Sequence, residues 1–131
     1  MKHNILARAA GLAAISAMTL GAGTALAKDA ITIAVPSFLT GGAAGPFGIP
    51  AMNGAKMVAD AINAGKLPAP YDSKGFGGAT ATIEPIDEGG GATKQVAEYR
   101  NLVEKRGVDA VVGYISSGNC QALAPIAEEL K

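Results

Sequence analysis

One stretch narrows the possible folds more than any other. Val108-Asp109-Ala110-Val111-Val112-Gly113 is an apolar run of strand length, Tyr114-Ile115-Ser116-Ser117-Gly118 follows it, and residues 121–130 have the composition of a helix. A buried strand that delivers two hydroxyls and a glycine to a helix start belongs to α/β architecture. The first N–H groups of a helix lack intrahelical partners and carry partial positive charge, so this junction suits a carboxylate or another anion.

The same strand-then-helix unit occurs twice more upstream. Ile31-Thr32-Ile33-Ala34-Val35 is a near-continuous apolar strand, and the sequence predicts that Pro36 ends it. Residues 37–50, rich in glycine and proline, are expected to form an exposed loop. A helix over 51–64 carries Met52, Ala55, Ala59 and Ile62 on one stripe and Lys56 and Asp60 four apart on the other, with Gly65 as its C-cap. After a loop over 66–78 comes a second strand, 79–86, ended by Asp87 and Glu88. Gly89-Gly90-Gly91 then leads to a helix over 93–106, with Val96, Tyr99, Leu102 and Val103 facing the core and Gly107 as its stop. Three such units predict an open parallel sheet with helices on both faces. Ligands of such sheets bind outside the carboxyl ends of the strands, where loops 36–50, 87–92 and 114–119 would converge.

Residues 1–27 read as a secretory signal peptide. Lys2, His3 and Arg8 make a basic start, residues 9–20 are almost wholly apolar, and Ala25-Leu26-Ala27 is an A-x-A cleavage site. Cleavage is expected between Ala27 and Lys28. Gly11, Ser16, Thr19, Gly21 and Gly23 interrupt the apolar run, which falls short of the about 20 strongly apolar residues that span a bilayer. His3 is the only histidine, so the mature part, residues 28–131, has none for acid/base catalysis or metal ligation. It carries nine basic and eleven acidic residues with no basic cluster, which argues against nucleic-acid binding. At 104 residues it is one modest domain at most. The helical pattern still runs at Lys131 with neither cap nor following strand, so a longer natural product is expected. Cys120, the only cysteine, either pairs with a residue outside this segment or is a small buried hydrophobe in the first turn of the last helix.

The candidate motifs favour binding over chemistry. The loop Gly41-Gly42-Ala43-Ala44-Gly45-Pro46-Phe47-Gly48 lacks the Gly-Lys-Ser/Thr of a P-loop and the G-x-G-x-x-G of a dinucleotide site. It reads as a mobile loop over a small ligand, with Thr40 as a polar contact and Phe47 as an apolar wall, or as a purely structural turn. Gly113 to Ser117 does not fit the G-x-S-x-G elbow, and no histidine is present to activate Ser116 or Ser117. Capping by one serine, worth about 1 kcal/mol, is compatible with ligand binding by the other. Asp87 and Glu88 are adjacent, so their side chains point to opposite faces and do not share a proton or ion. They are expected to be solvated acids rimming the strand end. No cofactor or metal is implied.

Taken in order, these pieces resemble a known family. A strand followed by Phe38-Leu39-Thr40-Gly41-Gly42-Ala43-Ala44, then Phe47-Gly48, Asn53-Gly54-Ala55 and Ala61-Ile62-Asn63-Ala64-Gly65 is the first part of the match. Asp87-Glu88, Leu102-Val103-Glu104, the run from Gly107 to Gly113, Ser116-Ser117-Gly118 and Ala124-Pro125-Ile126-Ala127-Glu128-Glu129 complete it. The mature chain resembles the amino-terminal part of periplasmic solute-binding proteins of the branched-chain amino acid type, which serve ABC importers.

The resemblance implies two α/β lobes closing on a ligand, with residues 28–131 as part of the amino-terminal lobe. It implies a periplasmic, non-enzymatic protein whose partners are a small amino acid or organic acid and an ABC permease in the inner membrane. Ser117, with Ser116 and Gly118 beside it, would meet a ligand carboxylate through hydroxyl and N–H groups. Phe47 falls where the family often places a tyrosine near the ligand, and further contacts would lie beyond Lys131. Some relatives bind aromatic acids, amides or urea, so the ligand class stays broad. An exported α/β hydrolase using Ser116 or Ser117, and a ligand-binding sensor domain, are the competing readings.

Overall fold

The computed structural model describes residues 28–130, so the signal-peptide reading of residues 1–27 lies outside them. The chain forms β1 (Ala30–Ser37), a π-helical turn (Ala44–Gly48), α1 (Ile49–Ala64) and β2 (Thr80–Asp87). It continues with α2 (Gly91–Arg100), a π-helical extension (Asn101–Arg106), β3 (Ala110–Val111) and α3 (Ser117–Glu129). The strands make one sheet in the order β2-β1-β3 with both pairings parallel. This is the α/β open parallel sheet that the alternating pattern predicts.

Strand alternation decides which helix covers which face. β1 and β2 pair from Ala30 opposite Thr80 to Ser37 opposite Asp87. Ile33, Val35, Ala81 and Ile83 therefore share one face. There they line, with Ala55, Val58, Ala59 and Ile62 of α1, an apolar concavity of about 320 Å³. Ala34 and Ile86 project from the other face and pack on the fully buried Leu102, with Val108 and Val111 beside them. Helices thus lie on both faces. Met52 and Ala59 are buried and Ala55 and Ile62 partly so, as the apolar stripe of α1 requires.

Two polar devices lock helices to sheet and to each other. β2 is an edge strand, and the Asn63 side chain takes the place of a neighbour: its Nδ2 donates to the Ala81 carbonyl (2.8 Å) and its Oδ1 accepts from the Ala81 N–H (2.7 Å). The Arg100 guanidinium grips both oxygens of Glu129 at 3.2 and 2.6 Å, aligning α2 with α3.

Several boundaries differ from expectation. β1 runs through Pro36 to Ser37, because the neighbouring strand has already ended at Val111 and Pro36 serves there only as acceptor, from the Tyr114 N–H at 3.3 Å. The apolar run at 108–113 yields only two residues of regular strand. Gly113 at φ 153° and Tyr114 at φ 68° turn the backbone away. Within the expected exposed loop, residues 44–48 wind into a π-helical turn, with the Phe47 and Gly48 N–H groups both donating to the Ala43 carbonyl. The second helix begins at Gly91 and widens into π geometry from Asn101, and Gly65 and Gly107 close their helices in left-handed conformation. Cys120 is exposed rather than buried, because it lies on the outer side of the first turn of α3.

The tightest backbone approach is at Gly48, where a Cβ would fall 1.6 Å from the Phe38 carbonyl oxygen. Gly48→Ala is expected to cost about 3 kcal/mol and shift the urea midpoint accordingly. Gly45→Ala, whose Cβ meets nothing within 4 Å, should leave the midpoint near wild type.

Candidate functional site

β1 and β2 end side by side, and the three loops that leave the sheet at this edge are held by two consecutive acids. Asp87 is the last residue of β2 and shares the α1 face. Its carboxylate accepts from the Leu39 N–H (3.0 Å), the Thr40 hydroxyl (2.6 Å) and the Gly89 N–H (3.2 Å). Glu88 turns to the opposite face, is fully buried, and accepts from the Ile115 N–H (2.8 Å), the Ser116 N–H (2.7 Å) and the Asn119 side-chain amide (3.1 Å). Its own N–H donates to the Ser37 carbonyl at 2.8 Å. The opposite orientation of the pair is as expected. The expectation that both are solvated is wrong for Glu88, whose burial is made tolerable by these three donors.

Gln95, also fully buried, supports the turn between the acids and α2. Its Nε2 donates to the carbonyls of Asp87 (3.2 Å) and Gly89 (2.8 Å). Neither Glu88 nor Gln95 is marked as buried by composition or periodicity. The polar doublet at a strand end and a glutamine on a helix stripe are the only signals, and both are ambiguous without the neighbours.

The predicted site residues take distinct places. Ser116 is the N-cap of α3: its Oγ accepts from the Asn119 N–H (3.4 Å), its carbonyl accepts from Cys120, and its N–H goes to Glu88. Ser117 and Gly118 are the first two helical residues, both exposed, and their N–H groups have no partner among the described residues. Thr40 is tied to the end of β2 through Asp87. Phe47 is 58 % exposed in the π-helical turn, next to Gly48, whose carbonyl accepts from the buried Ser37 hydroxyl at 3.0 Å. The 320 Å³ concavity lies on the sheet face under α1, and its apolar lining offers nothing to orient a charged group.

Between β3 and the cap, Tyr114 adopts a left-handed φ of 68°, uncommon for a residue with a side chain. Gly113 before it has no room for a Cβ, which would lie 2.4 Å from the Pro36 carbonyl oxygen. Burial, reinforced by Glu88 nearby, pushes the Tyr114 phenol up to about 12, so it stays protonated, and its hydroxyl finds no partner among the described residues.

The hydrogen bond from Thr40, joined by those from Leu39 and Gly89, holds the Asp87 carboxyl below its ordinary 3.8. A depressed folded-state pKa gives stability that is present above the unfolded value and lost as pH falls through the folded one. Asp87→Asn is therefore expected to lower Tm at pH 7, with the gap to wild type closing as pH drops below 3.8. Tyr114→Phe, which removes a buried hydroxyl without a partner, should leave Tm unchanged or raise it, as read by calorimetry.

No curated protein matches the chain. Among solved structures, it is similar to a protein from Silicibacter pomeroyi provisionally assigned as a branched-chain amino acid ABC transporter, with TM-score 0.63 and 25% identity. That match covers 77% of this chain and 23% of the other, so the chain spans about a quarter of its length. A family model described as periplasmic binding protein matches residues 30–131. The parallel sheet, the loops gathered at its carboxyl edge and this match agree, and the chain belongs to the periplasmic binding protein family.

Proposed function

We propose that this chain is part of the amino-terminal lobe of an extracytoplasmic solute-binding component of an ABC importer, taking a small carboxylate such as an amino acid. The observation that carries this reading is the pair of exposed N–H groups at Ser117 and Gly118, which begin α3 with no partner among the described residues. Aligned peptide dipoles favour an anion there, and the Ser117 hydroxyl adds a donor. Thr40 and Phe47, from the loop braced by Asp87, supply a polar contact and an apolar wall. A second lobe would complete the cleft by closing over the first. An ABC permease in the inner membrane would receive the solute, and residues 1–27 would direct export to the periplasm.

Binding is better supported than hydrolysis. The Ser116 hydroxyl is engaged as an N-cap, residues 28–131 contain no histidine, and no base bonds to Ser117 among the described residues. In a thermal-shift panel on the full-length polypeptide, millimolar L-leucine, L-valine, benzoate or acetamide is expected to raise Tm. Ser117→Ala should weaken that ligand about tenfold while leaving the ligand-free Tm in place. The reading fails if no amino acid, organic acid or amide shifts Tm. Turnover of a p-nitrophenyl ester, lost on Ser117→Ala, would favour the hydrolase instead.

A further inference from the structure

We infer that Glu88 is a positioning residue for solute capture: its buried carboxyl group sets which N–H groups at the start of α3 remain available to a ligand. The inference rests on the binding reading above and extends it to a residue that does not touch the solute. From Val112 to Ser116 the backbone N–H groups find internal acceptors at four of five positions. Val112 donates to Ala34 (2.9 Å), Tyr114 to Pro36 (3.3 Å), and Ile115 and Ser116 to the two oxygens of Glu88. Gly113 is the exception, and the next two, Ser117 and Gly118, again have no acceptor among the described residues.

Glu88 therefore acts as an internal anion at this loop. It occupies the two donors that immediately precede the helix and, at the helix start, leaves those of the first two helical residues without an acceptor among the described residues. Its third partner, the buried Asn119 amide, fixes the first turn of α3 to the same carboxyl group. Tyr114 shows that the arrangement is imposed on the chain rather than locally preferred. A left-handed φ at a tyrosine persists only where surrounding contacts determine it, and the bonds on either side, to Pro36 and to Glu88, are those contacts.

Position and charge make opposite predictions, which renders the inference testable. A negative group behind the helix start disfavours an incoming carboxylate, so if charge alone mattered, Glu88→Gln would tighten binding of an anion. If placement matters, Glu88→Gln sets an amide NH2 against a backbone donor, and Glu88→Asp withdraws both oxygens by one methylene. Glu88→Asp then releases both Ile115 and Ser116, and Glu88→Gln, which keeps one acceptor oxygen, releases one of them.

The test uses the full-length polypeptide, with isothermal titration of L-leucine and benzoate and residue-resolved amide hydrogen exchange. Both variants are expected to bind at least tenfold more weakly, and exchange is expected to accelerate at least tenfold at both Ile115 and Ser116 in Glu88→Asp and at one of the two in Glu88→Gln, while the amides of β1 and β2 stay protected. Unchanged or tighter binding by either variant, or unchanged exchange at Ile115 and Ser116, overturns the inference. If wild type binds none of the solutes tested while Glu88→Asp loses protection at 115 and 116 and Glu88→Gln at one of them, the binding reading is what fails, and Glu88 stands as the residue that shapes this loop. Should a variant fail to fold, slow exchange at Ile115 and Ser116 in wild type supports the assignment, and rapid exchange there overturns it.

Discussion

A carboxyl group with no solvent exposure, held by two backbone N–H groups and a side-chain amide, is the interaction on which the rest of this edge depends. Glu88 is placed there by strand geometry, one residue past the end of β2, on the face where α2 and α3 pack. Desolvating an acid costs several kcal/mol unless donors replace the lost water. The loop between β3 and α3 supplies them, and so is fixed by the same bonds that make the burial tolerable. Asp87, one residue earlier and on the opposite face, does the corresponding work for the loop at Leu39 and Thr40, in a more open setting.

The alternation of side chains along β2 thereby becomes an organising device for the site. Two acids in succession reach two loops that are more than 70 residues apart in sequence, since β1 lies between β2 and β3. A single acid would brace one loop only. Gln95 completes the brace from α2 by holding the carbonyls of Asp87 and Gly89, so the turn carrying both acids is itself secured. The result is a hydrogen-bonded rim with the exposed start of α3 on one side and the Phe47 turn on the other. Under the binding role proposed above, such bracing would lower the ordering cost of taking up a small solute.

Much of this was legible in the chain, for reasons that are local. Apolar runs at β1 and β2, the 52, 55, 59 and 62 stripe of α1, and the glycines at 65 and 107 follow from periodicity and from the conformational freedom of glycine, and they appear where expected. That one of Ser116 and Ser117 would cap the last helix was also readable, but not which of them, because either precedes the helical pattern. What failed locally did so for nameable causes. Pro36 stays in its strand because its neighbour has ended, and the 108–113 run is shortened by backbone geometry at Gly113 and Tyr114 that apolar composition does not encode.

The sequence by itself determined the alternation of strands and helices, the glycine C-caps, and the opposite facing of Asp87 and Glu88, since each depends on residues within one or two turns of each other. Only the tertiary structure decided that Glu88 is buried and Asp87 is not. Whether an acid at a strand end meets water or backbone donors depends on the loop that crosses above it, and that loop arrives from 27 residues downstream. It likewise decided that Ser116 is engaged internally while Ser117 is exposed. Two adjacent serines are chemically equivalent in the sequence and differ only in which of them the buried acid can reach.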